Sequence, residues 1–403
     1  MANARWLARM GSAIRDGWII AGVTLLLFIV LELGYQAVHG RKTASSLATT
    51  ESGAPTPRLH PYAGQSWFQE FKGPKGLDAR HNHFDAYRSF WPSPLHSRYI
   101  NIDSVGFRST PQPVPDTAGT VRVLMLGGST MWGYTARDSF TIPTLTAARL
   151  RAHGILNAHV VNSAQAAYNA TQEATTLLVE RAHGDRADIV VLLDGYNDIA
   201  TGLKFREAGH SYGDEDIDQQ IHLGTRTFWG ELFGLARHSE IVGRLQSMVA
   251  RPAGNQPAAR PTAAVCGEVG QYFAKVSRQV EELGAAGGFP VVYFQQPMLA
   301  TTKKPLTAWE HTIPPRPAVH ECADSIDAAM ADRAGRSYFS LRSVFDFDTA
   351  SAFIDEHGHI TEAANGEVAE QIATVIAPIL MARQAAAGHG PASAASRPHP
   401  GSH

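Results

Sequence analysis

The stretch VRVLMLGGSTMWGY, Val121 to Tyr134, decides how the rest of the chain is read. Its first six residues are almost wholly apolar, the composition of a strand covered on both faces. The run ends on Gly127-Gly128-Ser129, with Trp132 and Gly133 just behind. Such an ending is either a tight turn or a serine presented at the tip of a strand. The rhythm downstream bears on the choice. IPTLTAARLRAHG (Ile142 to Gly154) reads as a helix closing on glycine, and AHVVN (Ala158 to Asn162) as a second strand. TQEATTLLVERAHG (Thr171 to Gly184) is a second helix and ADIVVLLDG (Ala187 to Gly195) a third, strongly apolar strand. A helix from about Glu268 to Gly284 precedes a fourth strand, FPVVYFQQP (Phe289 to Pro297), and RSYFSL (Arg336 to Leu341) offers a fifth. The last helix, Thr361 to about Arg383, carries Val368, Ile372, Val375, Ile376 and Ile379 on one face. Apolar strands alternating with helices predict an α/β fold: a three-layer α/β/α sandwich around a mainly parallel sheet of about five strands.

The chain has 403 residues, 44% of them hydrophobic, and a formal net charge of -2. That suits one large globular domain with additions and argues against a nucleic-acid partner. Cys266 and Cys322 are the only cysteines, and no CxxC or Cys/His zinc spacing exists, so neither a structural metal site nor a cofactor is expected. The two cysteines could form one disulfide if the domain lies outside the cytoplasm.

Arg5, Arg9 and Arg15 precede an apolar run that starts at Trp18 and reaches Val38 with Glu32 as its only charge. As a helix this run is about 31 Å long, the thickness of a bilayer core. The arginines favour an N-terminus inside and the body outside. We expect residues 1–17 to be cytoplasmic, 18–39 to be a transmembrane signal anchor holding the protein to the membrane, and the body to be periplasmic; a cleaved signal peptide is the alternative. Residues 40–59, rich in Ser, Thr and Pro, read as a linker. Residues 60–120 read as an N-terminal extension packed on the core, in which Arg98 to Ser109 resembles a short strand pair. The core spans 121–383, with an insertion at about 200–262, and 384–403 reads as a disordered tail.

In parallel sheets of this kind, ligands bind beyond the carboxyl ends of the strands. The residues found there are Gly127-Gly128-Ser129, then NSAQAAYNATQE from Asn162, then Gly195-Tyr196-Asn197-Asp198, and finally FIDEHGHITEAAN, Phe353 to Asn365, before the last helix. Taken singly, each has a plain reading. Ser129 and Asn197 suit turns, Asp198 and Asn162 suit loop stabilisation, and His357 suits an exposed loop. Trp132 and Tyr134 either line a site or pack in the core. Together they supply what acyl transfer requires: a serine, a histidine to take its proton, an acid to orient the histidine, and donors for an oxyanion.

The order and spacing of these segments resemble the four blocks of the SGNH/GDSL hydrolase superfamily, over about residues 121 to 380. The resemblance implies Ser129 as nucleophile, His359 as base, and an oxyanion hole made by the N–H groups of Ser129 and Ala167 and the side-chain amide of Asn197. Gly128, Asn162, Gly195 and Asp198 are then supporting residues. The chain departs from the pattern at three places. Gly128 stands where the family has aspartate. Ala167 stands where it has a glycine, and donates its N–H provided its φ is negative. The last block has one residue extra, so that Glu356 lies three and Asp355 four residues before His359. We take Asp355 as the orienting acid, with Glu356 as the alternative. The function implied is a serine esterase acting on an extracytoplasmic ester, with O-acetyl or other short acyl groups on a cell-envelope or exported polysaccharide as substrate. An O-acetyltransferase using the same acyl-enzyme, or a catalytically silent carbohydrate-binding module of an assembly complex, are the alternatives.

Overall fold

A computed structural model describes residues 57–214 and 260–388 continuously, together with scattered residues between 15 and 31. The chain forms two compact units, one of Met1–Thr49 with Glu215–Ala258 and one of Thr50–Asp214 with Ala259–His403. In the first unit the described residues are helical, and Trp18, Ile19, Ile20, Leu26 and Leu27 are exposed. Most of the expected anchor at 18–39 and of the linker, much of the expected insertion, and the tail beyond Gly388 lie outside the described residues. Among the described residues no helix is long and apolar enough to cross a membrane.

In the second unit the chain enters through helix α1 (Ser66–Lys72) and two short antiparallel pairs, β1 (Asn82–Asp85) with β2 (Ser89–Pro92) and β3 (Leu95–His96) with β4 (Asn101–Ile102). The extension has no helical period because α1 is its only α-helix and buries just Phe68 and Phe71. The Arg108 N–H then reaches the Asn162 carbonyl at 3.3 Å, fastening the extension to the sheet.

The sheet is parallel, with strands β5 (Val121–Gly127), β6 (Ala158–Asn162), β7 (Ile189–Asp194), β8 (Val291–Gln295) and β9 (Tyr338–Ser340) in the order β6-β5-β7-β8-β9. Alternation along the strands sends Val123, Met125 and Val191 to one face and Leu124, Leu126, Val190 and Leu192 to the other. The turn α2 (Ser129–Trp132) and the helix α3 (Ile142–Ala152) follow β5. Then come α4 (Ala170–Ala182), α5 (Tyr196–Phe205), α6 (Thr262–Gly287), α7 (Pro317–Ala329) and α8 (Glu362–Gly388). Helices α3 and α8 cover the Val123 face, while α4, α5, α6 and α7 cover the other, which makes the three layers. On α8 the stripe Val368, Ile372, Ile376 and Leu380 is fully buried, each residue contributing roughly 1.5–3 kcal/mol of burial. Helix α4 opens on a capping box in which Asn169 and Gln172 satisfy each other's backbone N–H groups.

Three elements differ from the sequence reading. The rhythm does not break at about 200, since α5 begins inside the Gly195-Tyr196-Asn197-Asp198 segment. Helix α7 has no counterpart in that reading, because its buried face is made of Val319, Cys322, Ala323 and Ile326, two of them small. Helix α8 runs to Gly388, past the expected start of the tail at 384, because its last turns are alanine-rich. Cys266 of α6 and Cys322 of α7 are joined by a disulfide.

The order in which strands are added reverses between β5 and β7, and in such sheets ligands bind beyond the carboxyl ends of the strands at that point. Ser129 follows β5 and Asn197 follows β7.

Candidate active site

Strand β5 ends on Gly127 at a φ of +154°, where a Cβ would come within 2.6 Å of Met131 Cβ and 2.8 Å of the Leu193 carbonyl oxygen. Only glycine passes this point, and the chain turns at once into α2, with Ser129 as its first residue. Gly133, at φ +89°, ends the turn after four residues. The serine is thereby held at the strand tip on a short, tightly closed segment.

His359 arrives from the opposite end of the sequence. The loop carrying it folds back on itself, with the Ile354 N–H donating to the His359 carbonyl at 2.8 Å. It is fastened to the serine turn by Thr130 Oγ1, which donates to the Gly358 carbonyl at 3.1 Å, and by Thr135 Oγ1, which donates to the Ile360 carbonyl at 2.7 Å. Beneath it, Glu310 accepts from the Ala352 and Phe353 N–H groups at 2.9 and 3.1 Å and from Lys304 Nζ at 2.6 Å. The Lys304 and Glu310 side chains are both fully buried.

These ties bring three side chains into line. Ser129 Oγ lies 2.7 Å from His359 Nε2, and His359 Nδ1 lies 2.6 Å from Asp355 Oδ2. A carboxylate only accepts, so Nδ1 carries the proton and Nε2 is free to accept from the serine hydroxyl. The second oxygen of Asp355 accepts from the N–H groups of His357 and His359 at 2.9 and 3.3 Å. Burial acts to raise the Asp355 carboxyl, but the His359 imidazole and these donors together hold it below the usual carboxylate range. Glu356 points elsewhere and meets Arg316 at 3.2 Å. Tyr134 stacks on the His359 ring with centroids 4.8 Å apart. Trp132 is fully buried.

The donors expected around the oxyanion follow strands β5, β6 and β7. The Asn197 side-chain amide donates to the Tyr168 carbonyl at 2.6 Å, which leaves its second hydrogen uncommitted among the described residues. A Cβ at Gly128 would come within 2.4 Å of that amide nitrogen. Glycine at 128 thus gives Asn197 its room. The loop after β6 is drawn in by the Gln165 N–H, which donates to the Gly127 carbonyl at 3.0 Å. Ala167 does not have the negative φ expected of it; its φ is +69°. It keeps a left-handed conformation suited to glycine at a cost of about 1–2 kcal/mol, because Gln165 and Asn197 pin the residues on either side. Its N–H makes no hydrogen bond among the described residues.

The supporting residues lie just behind. Asn162 donates to the Trp132 carbonyl at 3.3 Å and accepts from the Ala164 N–H at 3.3 Å. Gly195, at φ +115°, leads into α5. Asp198 accepts from the Ala170 N–H, 3.3 Å from each of its oxygens, and so joins α5 to the first residue of α4. Burial, reinforced by nearby Asp194, pushes the Asp198 carboxyl up to about 8. Burial also pushes Asp194 up to about 7 and raises its neighbour Glu173. Asp198 is therefore largely protonated at and below neutral pH.

His357 is exposed beside Tyr196. Asp355, His357 and His359 offer three ligand atoms within 4.8 Å of one another, but two of these residues are already joined in the serine–histidine–aspartate line. A cavity of about 420 Å³ lies at the β9 edge, lined by Asp327, Tyr338, Ser340 and Gln371 among others, and contains none of the site residues. Glu310, Lys304, Thr130 and Thr135 were not legible from sequence, since no motif spacing marks a residue that acts by holding another loop.

No protein-family model matches the chain, and no curated protein matches it. Solved structures similar to it include a protein described as lipolytic and of the G-D-S-L family from Desulfitobacterium hafniense DCB-2, at 9% identity over 64% of this chain and 99% of that one, with a TM-score of 0.35. The acetyl xylan esterase AlAXEase is 12% identical over 64% of this chain and 100% of its own, with a TM-score of 0.36. A carbohydrate acetylesterase family member from Sinorhizobium meliloti is 13% identical over 65% of this chain and 97% of its own, with a TM-score of 0.33.

Proposed function

We propose that the chain is a serine esterase of the SGNH/GDSL type that removes short acyl groups, O-acetyl above all, from an extracytoplasmic polysaccharide. The observation that carries this reading is the unbroken line from Ser129 Oγ through His359 to Asp355, at 2.7 and 2.6 Å. His359 Nε2 takes the hydroxyl proton as Ser129 attacks the ester carbonyl, and Asp355 stabilises the imidazolium that forms. The oxyanion is held by the Ser129 N–H, by the Asn197 amide, whose second hydrogen is uncommitted among the described residues, and by the Ala167 N–H, which makes no hydrogen bond there and stays available despite its positive φ. The imidazolium then protonates the leaving alcohol, leaving an acyl-enzyme on Ser129. A water, deprotonated by His359, hydrolyses it.

The extracytoplasmic setting is supported by the Cys266–Cys322 disulfide and by the arginines ahead of the apolar run at 18–39. The test is acetate release from para-nitrophenyl acetate and from acetylated glycans by the wild type and Ser129→Ala. Release by the wild type alone supports the reading. Equal release by both, or none by a folded wild type, removes it.

A further inference from the structure

The extension at 60–120 forms part of the wall beside the serine turn. Asn82, at the start of β1, accepts from Gln165 Nε2 at 3.4 Å, on the loop that also carries Ala167. Two residues earlier, the Arg80 guanidinium lies over the Trp132 ring, 4.9 Å from its centroid. The Trp132 ring is 6.4 Å from that of Tyr134, and Tyr134 stacks on His359. Two aromatic rings in succession, Trp132 and Tyr134, therefore connect Arg80 to the base.

What distinguishes Arg80 is its lack of a counter-charge. In the same extension Arg88 meets Asp85 and Glu180, Arg98 meets Glu70, and Arg108 meets Asp138. The Arg80 side chain makes no hydrogen bond or ion pair among the described residues, and the groups that act on its charge are Tyr134, Arg108 and Tyr168, none of them a carboxylate. Burial pushes the guanidinium down to about 10, against Tyr134 and helped by Arg108, so it is charged at neutral pH. A half-buried cation with no anion opposite it is unfavourable unless a ligand supplies the anion. The guanidinium lies over the Trp132 ring, and its N–H groups have no acceptor among the described residues, so they are available to a carboxylate or phosphate.

We propose that Arg80 is a specificity residue that binds an anionic group, carboxylate or phosphate, on the substrate, so that the preferred substrate is an O-acylated anionic sugar. This rests on the esterase reading above. The test uses the full chain and four esters: an O-acetylated glucuronic acid glycoside, the same compound with its carboxyl capped as the methyl ester, an O-acetylated glucose phosphate, and para-nitrophenyl acetate. Each is compared in the wild type, Arg80→Gln and Arg80→Lys. The readout is the ratio of kcat/KM for charged over capped ester within each protein, so a general loss of activity cancels. The wild type should favour a charged ester by roughly tenfold to a hundredfold, the worth of hydrogen bonds to a charged group. Arg80→Gln should bring the ratio close to one, and Arg80→Lys should restore part of it. Which charged ester is faster separates carboxylate from phosphate. Charged esters turned over no faster than the capped one, or a preference that survives Arg80→Gln, would overturn the inference alone. A folded wild type that hydrolyses none of the four, para-nitrophenyl acetate included, would overturn the esterase reading and this inference with it.

Discussion

Replacing Asp355 by asparagine changes one proton and little else. Oδ1 of Asp355 accepts from two backbone N–H groups, those of His357 and His359, and Oδ2 accepts from His359 Nδ1. An asparagine must keep its oxygen toward the two backbone donors, since turning its NH2 there would set donor against donor at both. The NH2 then faces Nδ1 and can bond only if Nδ1 gives up its proton. The imidazole is driven into the other tautomer, with a hydrogen on Nε2 pointing at Ser129 Oγ, 2.7 Å away. It can no longer act as base. The same change in a serine protease lowers kcat about ten-thousand-fold, equivalent to about 5.5 kcal/mol of barrier. We expect a loss of that order in kcat on para-nitrophenyl acetate, with an unchanged unfolding midpoint. Glu356→Gln touches only a partly exposed pair with Arg316 and should change the rate by less than about threefold. An Asp355→Asn enzyme within tenfold of wild type, or a Glu356→Gln enzyme as crippled as Asp355→Asn is predicted to be, would refute the assignment of the acid.

Three further outcomes follow from the packing around the site. Asn197→Ala removes one of the proposed oxyanion donors and should lower kcat by about a hundredfold to a thousandfold with a smaller change in KM, read by steady-state kinetics. Glu310→Ala strands the buried Lys304 ammonium and three backbone N–H groups, those of Thr307, Ala352 and Phe353, and should cost about 3–5 kcal/mol in urea unfolding. Asp198 is raised from an ordinary value of 3.8 to about 8, so its contribution to stability is complete below about pH 4 and is lost as the pH rises through about 8. Melting temperature should therefore fall from pH 5 to pH 9, and Asp198→Asn should flatten that slope.

The parallel sheet was legible because β5, β7 and β8 are buried on both faces and can only be near-continuous apolar runs. The four post-strand segments were legible because chemistry constrains residue type there more than packing does. The acid was not resolved by spacing, since Asp355 and Glu356 are neighbours and only the fold of the loop at 353–360 shows which one faces the imidazole. The left-handed Ala167 was misjudged because an alanine in sequence carries no mark of the tertiary bonds that hold it there. Helix α7, whose apolar face is partly alanine and cysteine, shows too little contrast for its period to stand out. Arg80 was invisible for a different reason: its meaning lies in the absence of a carboxylate, and that can be seen only once the chain is folded around it.

The most direct measurement is mass-spectrometric mapping of the full chain after reaction with a fluorophosphonate, in the wild type and in His359→Asn. The account predicts a single stoichiometric adduct on Ser129 in the wild type and almost none in the variant, because the hydroxyl reacts only when Nε2 takes its proton. Absence of an adduct on Ser129 in the folded wild type, or labelling that is indifferent to His359, would contradict it.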